Sequence, residues 1–307
     1  MQSNVVNETV SRDIKSSFWH FKEVDYLDQW PLMSTPIPVG TIVLCYLAFV
    51  LKTGPNLMKK RPPYQLKNVL IVYNIIQVIA SIGLACAGSY FLLKHGVLNK
   101  TCAAELSEGN VRYMVTSGYC YMLAKLSELL DTVFFVLRKK QNQVTFLHVY
   151  HHTLMVTMIW YGLKYEINEH AVFFGTLNSM VHVVMYGYYC LSALPGISNY
   201  LWWKKYITII QLAQFIAAFF HILMSKAVSD CPPSTFAIII ISGNALFFFY
   251  LFSNFYKSRY NKPSSDKEKC EINGKSSMNG ANHANGTNNA KESENQRSYR
   301  KKTEKIN

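Results

Sequence analysis

The sequence predicts an all-α integral membrane fold of about seven transmembrane helices, with a lumenal amino terminus and a cytosolic carboxyl terminus. Three observations carry this expectation. Apolar runs recur at membrane-spanning length, about 20 residues each. The loops between them alternate between strongly basic and mixed or acidic composition. The apolar character then stops near residue 256, and Lys, Ser, Asn, Glu and Gly take over. Three segments follow: a lumenal amino-terminal segment over 1–35, a seven-helix membrane domain over 36–256, and a tail over 257–307 with the composition of a disordered cytosolic segment. The tail dilutes the mean hydropathy to +0.06, so the body is greasier than the average suggests.

The spans fall in order at 36–51, 69–93, 111–137, 146–163, 172–191, 203–224 and 236–255. Histidines interrupt the fourth and fifth. The last, with Ala237-Ile238-Ile239-Ile240-Ile241, is the plainest. One set of loops carries Lys59-Lys60-Arg61 with Lys67, Arg138-Lys139-Lys140, Lys204-Lys205, and Lys257 with Arg259. The other carries Glu105 and Glu108 beside Lys100, Glu166 and Glu169 beside Lys164, and Asp230. Basic loops stay cytosolic, which sets the orientation and requires an odd number of spans. The net charge of +13 therefore reads as membrane topology. No basic face interleaved with aromatics suggests nucleic-acid binding.

The first 35 residues show no cleavable signal, so the first span is expected to act as its own anchor. Sequons at Asn7 and Asn99 fall on the expected lumenal side, and the one at Asn285 falls in the cytosolic tail. Cys102 and Cys231 both lie in expected lumenal loops, where a bridge can form. Cys45, Cys86, Cys120 and Cys190 lie in apolar runs and are expected as small core residues. Lys305, third from the end, matches half of a dilysine retrieval signal.

Polar chemistry inside the spans points to function, because each charge there costs about 2.5–3.5 kcal/mol. In the third span Lys125, Glu128 and Thr132 share a helical face, with Asp131 at its edge. Lys125 can pair with Glu128 or Asp131. The group reads either as an ion pair ordering the bundle or as a wall of a polar chamber, and the two are compatible. In the fourth span His148, His151 and His152 cover about 100° of arc and are expected to point the same way. They suit metal ligation, or nucleophilic and acid–base chemistry. In the fifth span His182 has Asn178 and Tyr186 one turn away, either able to fix its tautomer. The sixth span offers Thr208, Gln211 and Gln214, with His221 beyond, as helix glue or channel lining. The polar groups are expected in the middle to cytosolic half of the bundle, and toward the lumen the same spans turn apolar and aromatic. Such a site suits an acyl chain whose head group stays in the cytosol.

Lys125-x-x-Glu128-x-x-Asp131-Thr132, Gln143-x-x-x-Leu147-His148-Val149-Tyr150-His151-His152, Asn178-x-x-x-His182-x-x-Met185-Tyr186-x-Tyr188-Tyr189 and Thr208-x-x-Gln211-x-x-Gln214 occur in that order. Together they resemble the very-long-chain fatty acid elongases, the 3-oxoacyl-CoA synthases of the endoplasmic reticulum membrane. The resemblance covers all but the amino-terminal segment and the tail. It implies condensation of long-chain acyl-CoA with malonyl-CoA to a 3-oxoacyl-CoA two carbons longer, CO2 and CoA, with no cofactor and no metal. It implies six helices forming a barrel around a substrate tunnel. It also implies a possible homo-oligomer working beside the other enzymes of the elongation cycle. His151 then becomes the nucleophile that holds the acyl chain, and His182 assists that transfer or the decarboxylation. Lys125, ordered by Glu128 and Asp131, stabilises the thioester oxygen or the malonyl carboxylate, and His148 and His152 complete the site. Arg138, Lys140, Gln143, Asn178, Tyr188, Lys204, Thr208 and Gln211 are the implied substrate contacts.

Two rivals remain at this point. A di-iron membrane desaturase or hydroxylase also uses His-x-x-His-His, but it needs several such boxes. Here there is one, and His182 and His221 stand single. A non-enzymatic seven-helix receptor shares the topology but leaves the packed histidines unexplained.

Overall fold

The computed structural model describes residues 25–98, 102, 105–166, 169–194, 196–197, 200–230 and 232–260. Asn7, Asn99, Asn285, Cys231 and Lys305 lie outside the described residues. The described residues hold seven long helices and no strand. They are α1 Pro36–Met58, α2 Lys67–His95, α3 Glu108–Leu137, α4 Phe146–Tyr165, α5 His170–Ala193, α6 Lys204–Val228 and α7 Thr235–Tyr260. Four of them, α1, α2, α6 and α7, are long and apolar enough to cross a membrane. The other three carry the inward-facing charges and histidines, which lower their hydropathy.

Local chemistry sets the helix ends. Prolines stand at the start of α1, where a missing N–H costs nothing. The chain continues as one rod past Lys52 through a π turn at Phe49–Thr53, so α1 outruns its apolar run. At that turn Gly54 meets α3: a Cβ there would lie 2.7 Å from Val136 Cγ1. Gly96, at φ 88°, ends α2. Thr145 caps α4, its hydroxyl accepting the His148 N–H at 3.3 Å. This cap fixes the histidine box in the first two turns of α4.

Alpha2 lies along α5. Ser81, Ala85 and Gly88 make a buried small-residue stripe on α2, which lets the two backbones approach. A Cβ at Gly88 would collide with the Thr176 hydroxyl. The outward faces carry Ile37, Leu44, Ile76, Ile79, Ile239 and Leu246, all exposed, as a lipid-facing surface requires. The expectation that Cys45, Cys86, Cys120 and Cys190 are core residues does not hold. The first three are exposed and Cys190 is half-buried. In a helix bundle clothed in apolar side chains, lying in an apolar run no longer implies burial.

Residues 25–34 fold onto the end of the bundle formed by α3 and α4. Leu27 and Met33 are buried there. Trp160 Nε1 donates to the Leu32 carbonyl at 2.8 Å, the Tyr119 hydroxyl to that of Pro31 at 3.2 Å, and Lys164 pairs with Asp28. At the opposite end Lys139 closes α3 with φ 55°, a left-handed conformation that costs a side-chain-bearing residue about 1–2 kcal/mol. Lys139→Gly is therefore expected to stabilise the fold by about 1 kcal/mol, read as a rise of a few degrees in thermal unfolding of the detergent-solubilised protein. No rise would mean that the Lys139 Nζ contact to the Lys59 carbonyl, at 3.4 Å, offsets the strain.

Candidate active site

The charges of α3 are buried as a group. Lys125 and Glu128 are each 2% exposed, Asp131 is 9% exposed and Thr132 is fully buried. Such burial is tolerable only with partners. Lys125 Nζ donates to Glu128 Oε1 at 2.8 Å and Oε2 at 3.0 Å. His182 of α5 brings its Nδ1 to the same Oε1 at 3.0 Å and to Lys125 Nζ at 3.3 Å. A carboxylate oxygen can only accept, so a hydrogen bond to it at 3.0 Å needs the proton on Nδ1. His182 then carries its proton on Nδ1, and the Lys125 contact follows from two donors sharing one oxygen.

The partners differ from those expected in two respects. Asp131 makes no direct hydrogen bond to Lys125: it accepts the Tyr186 hydroxyl at 2.7 Å, and the ammonium donates to Glu128. Neither Asn178 nor Tyr186 fixes His182. Asn178 Oδ1 accepts the Tyr121 hydroxyl at 2.8 Å, and Glu128 reaches the imidazole from the facing helix. Further polar groups support α3. Tyr46 and Thr132 share a hydrogen bond of 2.7 Å, and Gln77 Nε2 donates to Ser127 Oγ at 2.7 Å.

The three histidines of α4 do not share one role. His148 and His152 pack ring to ring, centroids 4.4 Å apart, and His148 also meets Phe135 of α3 at 5.3 Å. His151 meets Phe248 of α7 edge-on at 5.2 Å. Positions four apart stack on one face, whereas His151 sits about 100° round the helix from His152. Of the three, His151 lines a cavity of about 350 Å³.

Side chains from α2 through α7 line that cavity, and α1 stands outside it. His151, Asn178, Gln214 and Asn244 are among the polar residues on its wall, and Gly118, Leu163 and Glu166 lie toward the far end of α4. From His151 to Glu166 along α4 is about 22 Å at 1.5 Å per residue. His182 is not on the wall; Asn178, one turn earlier on α5, is. His182 sits behind it in the charged group, within electrostatic reach of His151 together with Lys125 and Glu128.

The other expected contacts gather at the end of the bundle where α3 ends and α4 begins, and where α5 ends and α6 begins. Arg138 is half-buried, Lys140, Gln143 and Lys204 are exposed, and Thr208 is buried. Gln211 Nε2 donates to Met185 Sδ at 3.5 Å. Tyr188 is buried against Trp203, centroids 5.1 Å apart. His221 stacks on Phe173 at 3.9 Å, far along α6 from this end, as a core residue. Cys102 is disulfide-bonded, and its expected partner Cys231 lies outside the described residues. Among the described residues no three His, Cys, Asp or Glu side chains group as metal ligands.

Sequence reasoning missed Tyr121. It stands four residues before Lys125 and continues the same stripe, so helical spacing carried the signal. Its ring faces the ammonium, Nζ to centroid 5.0 Å.

A family model described as ELO: GNS1/SUR4 family matches residues 31–268. The chain belongs to the ELO family. Similar curated proteins include very long chain fatty acid elongase 7 of Drosophila melanogaster, 41% identical over 80% of this chain and 75% of its own length. Very long chain fatty acid elongase 4 of Homo sapiens is 38% identical over 89% and 88% of the two chains. Very long chain fatty acid elongase 1 of Mus musculus is 39% identical over 81% and 90%. Membership of the ELO family reaches across all seven helices, since the match begins before α1 and ends beyond α7.

Proposed function

We infer that this chain is a 3-oxoacyl-CoA synthase that condenses long-chain acyl-CoA with malonyl-CoA. The observation that carries the reading is the position of His151, at the boundary between a buried charged group and a long apolar cavity. All seven helices span the membrane. The end rich in Lys59, Arg61, Arg138, Lys140 and Lys204 faces the cytosol, where CoA substrates are found, and the positive-inside bias supports this orientation. The endoplasmic reticulum membrane is the compartment that fits the family. A bridge from Cys102 to Cys231 would tie two loops on the lumenal side.

A ring nitrogen of His151 attacks the acyl thioester carbon. The C–S bond breaks, CoA leaves as thiolate and takes up a proton, and an acyl-imidazole remains with its chain in the cavity. Malonyl-CoA then loses CO2, and the electron pair of the broken C–C bond becomes a thioester enolate. Its carbon attacks the acyl carbonyl, His151 leaves, and a 3-oxoacyl-CoA two carbons longer is released. One proton is consumed overall. Decarboxylation replaces a strong base, so the reaction needs neither metal nor cofactor. Lys125 stabilises the negative charge that develops on malonyl-CoA as CO2 leaves. Glu128 holds His182 with Nδ1 protonated, which leaves Nε2 as the basic nitrogen. Asp131 acts through Tyr186, and His148 and His152 pack His151 into place. Arg138, Lys140, Gln143, Lys204, Thr208, Gln211 and Tyr188 guide the CoA arm, and Asn178 meets the acyl end. The product is a ketone, so a ketone-reducing enzyme must act next, and such an enzyme is the natural neighbour.

Purified protein given acyl-CoA and radiolabelled malonyl-CoA tests the reading. Labelled 3-oxoacyl product is expected for at least one chain length. No product across a range of saturated and polyunsaturated chains sinks it, and stoichiometric iron in the pure protein would favour the desaturase chemistry instead.

The cavity also predicts chain length. Gly118 and Leu163 line the cavity side by side, and a Cβ at Gly118 would lie 2.7 Å from a Leu163 methyl, so a larger side chain there must turn into the cavity or displace Leu163. Gly118→Leu takes space from the acyl chain. Each methylene displaced costs about 0.8 kcal/mol, several-fold in kcat/KM, so the product distribution moves to shorter chains. An unchanged distribution by gas chromatography would place the chain elsewhere.

A further inference from the structure

An asparagine on a cavity wall can offer either its oxygen or its NH2, and the two are nearly isosteric. At Asn178 the choice is made by a neighbour. The Tyr121 hydroxyl donates to Asn178 Oδ1 at 2.8 Å. With the amide turned the other way, the phenolic proton would face an NH2 group, and a buried donor would lose its acceptor at the full desolvation cost. The Tyr121 ring has little freedom to follow. Its face lies over Lys125 at 5.0 Å, and it packs beside Gly175, where a Cβ would stand in ordinary contact at 3.8 Å. Among the described residues, Asn178 Nδ2 has no hydrogen-bond partner of its own. It belongs to a residue that lines the same cavity as His151.

We propose that Tyr121 is a positioning residue that locks Asn178 with its NH2 toward the cavity, so that Nδ2 donates to the acyl carbonyl oxygen as that oxygen becomes an oxyanion. The assignment rests on His151 as the acyl carrier. A carbonyl attacked by the imidazole needs a donor on its oxygen. A preorganised amide supplies it without reorganisation. Asn178 lines the cavity and Lys125 does not, so the neutral amide is a donor that the acyl group can meet there and Lys125 is left for the malonyl half-reaction. The Tyr121 ring also lines the cavity, but its hydroxyl is committed to Asn178. It acts by fixing which atom of Asn178 meets the carbonyl.

The experiment is a double-mutant cycle on the full-length protein, read on CoA release from acyl-CoA alone. Tyr121→Phe keeps the ring and removes the hydroxyl. The single-turnover rate is expected to fall about 10-fold or more, toward the 10²–10³-fold scale for losing an oxyanion donor. The acyl-CoA concentration at half-saturation should stay within about twofold, because the interaction belongs to the transition state. Asn178→Ala should fall further, and Tyr121→Phe added to it should cost nothing more. In the acyl-enzyme formed from carbonyl-13C acyl-CoA, the infrared carbonyl band should move to higher wavenumber in both single variants. Additive losses, or an unshifted band in Tyr121→Phe, overturn the proposal. Should Tyr121→Phe fail to fold, the near-isosteric Asn178→Asp removes the donor with the tyrosine in place, and an unimpaired rate there overturns it equally. A wild-type protein that forms no acyl-enzyme contradicts the proposed function instead, so the two failures are distinct.

Discussion

Replacing His151 by alanine is expected to stop turnover before malonyl-CoA is involved. With acyl-CoA alone, the wild-type protein should release one equivalent of free CoA per site in a burst. His151→Ala should release none above background, a loss on the order of 10⁴-fold or more, the scale of removing a nucleophile. The fold should survive, because His151 is only half-buried and its ring edge-packs on Phe248 without a hydrogen bond on which other residues depend. His152→Ala is the informative contrast. That ring is buried between its two neighbours, so its loss should cost stability and slow the reaction while leaving the burst detectable. A burst that survives in His151→Ala but vanishes in His152→Ala would move the nucleophile by one residue.

Glu128 carries the second large effect. Its carboxylate receives Lys125 on both oxygens and His182 on one. Glu128→Ala strands a buried ammonium, a change worth about 3–5 kcal/mol of stability. It also frees the His182 tautomer, which should lower turnover by about 10²–10⁴-fold. Lys125→Met combined with Glu128→Leu removes both charges and should recover most of the stability, since apolar replacement of a buried pair is often neutral or better. Activity should not return, because the ammonium and the tautomer lock are both gone. Thermal unfolding in detergent and single-turnover CoA release separate the two effects. An active double variant would reduce the pair to bundle architecture.

Much of this was legible in the chain because lipid enforces it. Apolar runs of spanning length gave the seven helices to within a turn or two at most ends, and the charges of the third run had to be buried and paired. The misreadings came from tertiary choices that spacing does not encode. Helical arithmetic put His148, His151 and His152 on one broad face, but a face 100° wide meets two neighbours, α3 and α7, and only one side opens on the cavity. It offered Lys125 two carboxylates, and the hydroxyl of Tyr186, on another helix, decided between them. It offered His182 the neighbours of its own helix, and Glu128 came from across the interface. The cysteines failed for a simpler reason: in a membrane domain hydrophobicity does not distinguish the inside from the lipid side.

The most direct measurement is the intact mass of the purified protein after incubation with a single acyl-CoA and no malonyl-CoA, followed by peptide mapping of the adduct. A mass increase of one acyl group is expected, carried on His151 and discharged as 3-oxoacyl-CoA when malonyl-CoA is added. An unmodified protein that still condenses the two substrates, or an acyl group mapped to another side chain, would contradict it.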